Sequence, residues 1–174
     1  MVARKTRSTV KVELRALEMV IESYKAKNNF YPPDNPKDYS RPPLFYELTG
    51  TTNVAIGGVH EYHSRFASAD PPLNENDLMQ IFGMKGFLNA GQAGDESEVQ
   101  SFYKNLLPRQ VREIPAGNGA PPYKVLVAPR HGMDRLPAVW HYNKTSPTNN
   151  VGEFDLWAEI DLRGDKVIIG NWEN

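Results

Sequence analysis

The chain of 174 residues contains no cysteine, which excludes disulfides, zinc–thiolate sites and thiol catalysis. It also lacks any apolar run near the ~20 residues that span a bilayer, and Met1 leads straight into charged residues, so no signal peptide is visible. Charge of one sign is scarce as well: the formal net charge is -1, far from the positive excess that neutralises phosphates, so nucleic acid is not an expected partner. No G-x-S-x-G elbow and no phosphate-cradling G-x-x-x-x-G-K-[ST] loop occurs. What is present, 40% hydrophobic and 24% charged residues, fits one domain, residues 1–174, with a core of its own.

The clearest element comes first. Nothing breaks a helix between Ala3 and about Asn28. Val10, Leu14, Leu17, Ile21 and Tyr24 recur at spacings of four and three and share one face. Glu22 and Lys25 are placed for an i,i+3 ion pair. Asn28 and Asn29 suit the left-handed turn that ends helices, and Pro32 and Pro33 forbid continuation. Such a helix is about 39 Å long. Its apolar stripe starts only at Val10, whereas Arg4, Lys5, Arg7, Lys11 and Arg15 crowd the first fifteen positions. A polar turn with nothing to pack on frays, so the natural helix is expected to continue upstream of Met1.

Residues 30–119 read as a loop and short-helix region. A short helix is expected near Pro43–Leu48, while Asn53–Ile56 reads as either a short strand or no regular element. A second helix runs through Leu73–Phe82 with Asn76 as its cap. A third opens on a capping box formed by Asp95 and Glu98, carries Val99, Phe102, Tyr103 and Leu106, and closes at Pro108. The glycine-bounded Gly83–Gly94 is expected to be mobile. In residues 120–174 four segments read as strands: Tyr123–Ala128, Ala138–Tyr142, Glu153–Ile160 and Lys166–Ile169. Short breaks between them favour an antiparallel meander. The fold class is therefore α+β, one long helix against a small antiparallel sheet of about four strands. Phe154, Leu156 and Ile160 are the choice for the strand that faces the helix.

Candidate chemistry is thin. His60 and His63 form H-E-Y-H, but a zinc peptidase needs its histidines four apart on a helix, and a loop without metal is the expected state. With Asp70 they define the rival reading, an envelope metal-dependent hydrolase. His131 and His141 fall in the sheet region and read as hydrogen-bonded structural histidines. Asp161 and Asp165 offer too few oxygens for the six to eight that calcium takes; a plain turn is expected. Asn143-Lys144-Thr145 fits the N-glycosylation pattern. No catalytic, cofactor or metal residues are assigned, and no enzyme activity is expected.

Two stretches carry a resemblance. Val10 to Pro33, VKVELRALEMVIESYKAKNNFYPP, resembles the part of the major type II secretion pseudopilin where the stem helix ends in a tyrosine, polar residues, an asparagine and an aromatic-proline. Glu153 to Trp172, EFDLWAEIDLRGDKVIIGNW, is similar to that family's F-D-L-aromatic strand, loop, final strand and closing asparagine-tryptophan. The resemblance implies a pilin fold and a structural role in a pseudopilus, at the periplasmic face of the bacterial inner membrane, held by an N-terminal hydrophobic helix absent from this sequence. It implies other pseudopilins and secretion-machinery proteins as partners. The family's calcium-binding loop is cut here to Asp161–Asp165. A pilin-like or minor pilin subunit outside secretion is the near alternative, a free-standing binding domain the more distant one. Arg4, Lys5, Arg7 and Lys11 are candidates for contact with neighbouring subunits or lipid headgroups.

Overall fold

A computed structural model describes residues 2–130 and 136–173. Helix α1 spans Val2–Asn28, and all five stripe residues from Val10 to Tyr24 are buried. Its end follows the expected chemistry: Asn29 takes φ 65° and donates its N–H to the Lys25 carbonyl at 2.8 Å. The Glu22–Lys25 pair takes a different form, because Tyr31 lies between the two. Its hydroxyl donates to Glu22 Oε1 at 2.9 Å, and Lys25 Nζ sits 4.2 Å from its ring centroid.

The middle region is more ordered in its hydrogen bonding than its sequence suggests. Helix α2, Leu44–Thr49, is buried along its whole length. Strands β1, Thr51–Ile56, and β2, Val59–Ser64, form an antiparallel hairpin. Gly57 and Gly58 turn it, with φ 59° and 82°, the two successive positive values a tight hairpin needs. The H-E-Y-H run therefore lies on a strand, not in a loop. Beyond Asn53 the tip of the hairpin is exposed, Val54, Ile56 and Val59 included, while His60 and Glu61 on β2 are partly covered. Strand β3, Leu73–Asn74, adds to β2 and leads into helix α3, Glu75–Phe82. The cap of α3 is Asn74 instead of Asn76: its Oδ1 accepts the N–H groups of Asn76 and Asp77 at 2.9 and 3.0 Å, while Asp77 Oδ2 accepts the Asn74 N–H at 2.9 Å.

The helix expected from Asp95 to Leu106 does not form. Asp95 Oδ1 accepts the nearby Ser97 N–H, and the N–H groups of Phe102 and Tyr103 both donate to the Leu48 carbonyl, so they have no part in an i,i-4 ladder. Gly83–Gly94 is likewise tied down, with Phe87, Asn89 and Ala90 buried.

The four expected C-terminal strands form, β5 (Tyr123–Leu126), β6 (His141–Asn143), β7 (Asp155–Leu162) and β8 (Asp165–Gly170), but not as one four-stranded sheet: β6, β7 and β8 make a three-stranded sheet and β5 lies outside it. A further strand, β4 (Val111–Ile114), not anticipated from sequence, pairs with β5. The segment Ala138–Val139 makes only a bridge, Val127 with Val139, which together with the Trp140 N–H to Leu126 carbonyl bond joins β5 to β6. All pairings are antiparallel. On β7, Leu156, Ala158 and Ile160 point inward with Tyr142 and Ile169, all fully buried; Phe154, just before the strand, joins them. Helix α1 packs on β7, β8 and α2. Each large apolar side chain so buried contributes about 1.5–3 kcal/mol against the entropy of ordering it.

The closing Gly170-Asn171-Trp172 has a mechanical reason. Asn171 Oδ1 accepts the Leu156 N–H and its Nδ2 donates to the Phe154 carbonyl, both at 3.0 Å, so one side chain continues the ladder past the end of β8. Trp172 lies over Gly170 so closely that a Cβ there would meet ring carbons at 2.5–2.6 Å. Gly170→Ala is expected to cost about 1–3 kcal/mol through that clash. The check is the thermal unfolding midpoint; an unchanged value would mean the indole yields freely.

Candidate functional site

The histidines and acids singled out from sequence are not brought together. His60 and His63 stand three apart on β2, so they project from opposite faces. His60 Nδ1 bonds Asn53 Oδ1 at 2.9 Å, and His63 Nε2 is 3.8 Å from Glu61 Oε2. Asp70 is held elsewhere: Lys124 Nζ reaches its Oδ2 at 2.8 Å and Glu113 at 3.3 Å. Among the described residues no group of three or more such side chains is placed to hold a metal. His141 is half-buried beside Trp157, ring centroids 5.1 Å apart. Burial pushes its imidazole pKa down, against the raising pull of Glu159 and Asp38, so the neutral ring is favoured. His131 lies outside the described residues.

Asp161 and Asp165 belong to the tight β7–β8 turn. Asp161 Oδ1 accepts the Gly164 N–H at 2.7 Å, and Leu162 pairs with Asp165 across Arg163-Gly164. The pattern is a plain hairpin turn. The Asn143-Lys144-Thr145 sequon is structural too. Asn143 is buried and caps Ser146 through both polar atoms, while the Thr145 hydroxyl donates to Asp34 Oδ1 at 2.7 Å.

A polar centre that sequence reading missed lies beneath α1. Glu47 is fully buried. Its carboxylate accepts the Tyr24 hydroxyl at 3.0 Å and the N–H groups of Leu88 and Asn89 at 2.8 and 3.0 Å. Asn89 donates from its amide to the carbonyls of Glu47 and Gln100 and accepts the Gln100 N–H. The long helix, α2 and both flanks of the 91–98 loop are thus bonded through two side chains. Desolvation pushes the Glu47 pKa up to about 7, against the lowering effect of its three donors.

What remains exposed is the outward side of α1. Arg4, Lys5, Arg7 and Arg15 are exposed. So are Val12 and Met19, at 66% and 72%, on the face opposite the core. Arg4, Arg7, Ser8, Lys11, Val12 and Arg15 line a shallow groove of about 340 Å³. This surface has a buried seam on its back and exposed apolar and basic positions in front. Compared with family models, curated proteins and solved structures, the chain matches none of them. Among the described residues no helix is long and apolar enough to cross a membrane.

Proposed function

We propose that this chain is the stem and head of a pilin-like filament subunit, of the kind that builds the pseudopilus of type II secretion, working at the periplasmic face of the bacterial inner membrane. The observation that carries the reading is the unequal coverage of α1. One face, from Val10 to Tyr24, is sealed against the head, while Arg4, Lys5, Arg7, Ser8 and Thr9 before it and the outward positions Val12 and Met19 are exposed. A helix needs a tertiary partner for most of its stability; neighbouring subunits supply it when stems bundle in a filament. The second support is the C-terminal lock, in which Asn171 and Trp172 use the motif positions to fasten the strand pair that backs the stem. In this reading the chain has a structural role, its partners are other subunits and the secretion machinery, and catalysis, nucleic acid and cofactors have no part.

The reading requires an apolar anchor ahead of Met1 in the gene product. The test is to read that stretch of gene, then delete the gene and follow secretion. The expected result is a hydrophobic helix behind a prepilin cleavage site, and loss of extracellular protein export on deletion. A gene encoding no such segment would overturn it.

A further inference from the structure

Two exposed patches of opposite sign are attached to opposite ends of α1. The first is the α1 groove. Among the described residues no ion pair reaches Arg4, Arg7 or Arg15, and Lys11 has only Glu173 at 3.7 Å. The second is the loop carrying Asp95, Glu96 and Glu98, all exposed. This loop has a defined shape: Gln92 bridges Asp95, the Gly94 N–H donates to the Asn53 carbonyl at 3.2 Å, and the Val99 N–H donates to the Glu96 carbonyl at 3.0 Å. Among the described residues no ion pair reaches its three acids. The nearby Arg65 directs its guanidinium to the Val99 carbonyl at 3.1 Å.

The patches cannot meet within one chain. The acidic loop hangs from Asn89 and Glu47, and so from Tyr24. Between Arg7 and Tyr24 the helix rises about 25 Å, well beyond the ~8 Å over which exposed charges feel each other in physiological salt. From these observations we infer that the basic groove on the first turns of α1 receives the acidic 95–98 loop of a second copy of this chain. The inference rests on the filament reading and names its contact. Because groove and loop are different surfaces, the contact is head-to-tail: it builds a ring where the rotation between copies closes and an open filament where it does not, and the filament reading takes the open case. Exposed ion pairs are individually weak. The contact gains force when neighbours are already held side by side, and it weakens with salt.

The absence of cysteine from the sequence gives a clean test. One preparation carries Ser8→Cys, in the groove, and another Ala93→Cys, in the loop; the two are mixed and oxidised. The expected product is the mixed disulfide in preference to either homodimer. Its yield falls at least about fivefold with Arg4→Glu plus Arg7→Glu, falls likewise in about 0.5 M salt, and recovers when the partner carries Glu96→Lys plus Glu98→Lys. All four charges are exposed, so the core is untouched by these changes. Mixed disulfide indifferent to charge reversal would overturn the inference. So would a predominance of Ser8→Cys homodimer, which means stems pair with stems. Loss of the mixed product alongside charge-dependent co-sedimentation with phosphatidylglycerol vesicles would assign the groove to lipid instead. If the full-length protein forms filaments that tolerate the charge reversal, this contact falls and the filament reading stands. If the mixed disulfide forms as described but no filament does, the contact stands without that reading.

Discussion

Glu47→Ala is expected to cost about 3–5 kcal/mol, seen as a fall in the urea midpoint at unchanged slope. The change leaves the N–H groups of Leu88 and Asn89 and the Tyr24 hydroxyl without their acceptor, in a site where Glu47 is fully buried. Against a total stability of about 5–15 kcal/mol this is a large fraction. Glu47→Gln keeps the shape and one acceptor oxygen, so its cost is smaller. The pair also separates charge from packing. Burial raises the Glu47 pKa from 4.5 to about 7 in the folded chain, so the folded state favours the protonated form. Its contribution is fully present below pH 4.5 and is lost as pH climbs to about 7, on the order of 3 kcal/mol. Glu13 and Glu18 are also raised by partial burial and act with the same sign, so the informative quantity is the difference between wild type and Glu47→Gln. Asp155 is shifted the other way: its backbone and side-chain hydrogen bonds around 148–150 outweigh desolvation and lower its pKa. Its contribution is present above its ordinary value of 3.8 and is lost only at more acid pH. Stability curves between pH 4.5 and 8 that run parallel in the two proteins would refute the assignment to Glu47.

Tyr142→Ala is expected to cost a further large amount, about 3–5 kcal/mol. Tyr142 has no exposed surface. Its ring meets Phe154 with centroids 5.7 Å apart, and its hydroxyl donates to the Pro32 carbonyl at 2.9 Å. One side chain thus ties the turn after α1 to the sheet. Tyr142→Phe removes only the hydrogen bond, for about 1 kcal/mol. At 2–4 °C per kcal/mol for a chain of this size, the alanine variant melts roughly 10 °C lower and the phenylalanine variant roughly 3 °C lower. Equal losses would place the whole effect in the hydroxyl and contradict the packing account.

Those two residues show what a sequence reveals and what it hides. The α1 stripe and the alternation along β7 were readable because each buries one face, and burial of one face writes a period into the chain. Tyr142 was caught inside an expected strand for that reason. Glu47 is hidden because α2 is buried on every side and so has no polar face to contrast with. Strand β2 was hidden for the opposite reason. Half of its residues are only partly covered, so Val59–Ser64 shows no clean alternation, and its histidines are the more visible feature. The false helix after Asp95 had correct local signals. It lost to two backbone bonds with Leu48, 54 and 55 residues distant in sequence, and nothing local announces such a partner. The outward basic groove was legible as a charge cluster. The acidic loop that complements it is not, because Asp95 and Glu98 carry the spacing of a helix capping box.

The start of α1 carries one further consequence. A helix has a partial positive charge at its N-terminus, and this one has no acidic residue in its first turn to offset it. Arg4, Lys5 and Arg7 therefore sit at the wrong pole of their own helix dipole, each repelled by unpaired backbone N–H groups. Any upstream extension of the helix would move that pole away and convert those N–H groups into ordinary rungs. The same three cations would then lie mid-helix, where the penalty vanishes. An upstream extension would thus stabilise the first turns, and amide exchange along Ala3–Thr9 would read the difference directly.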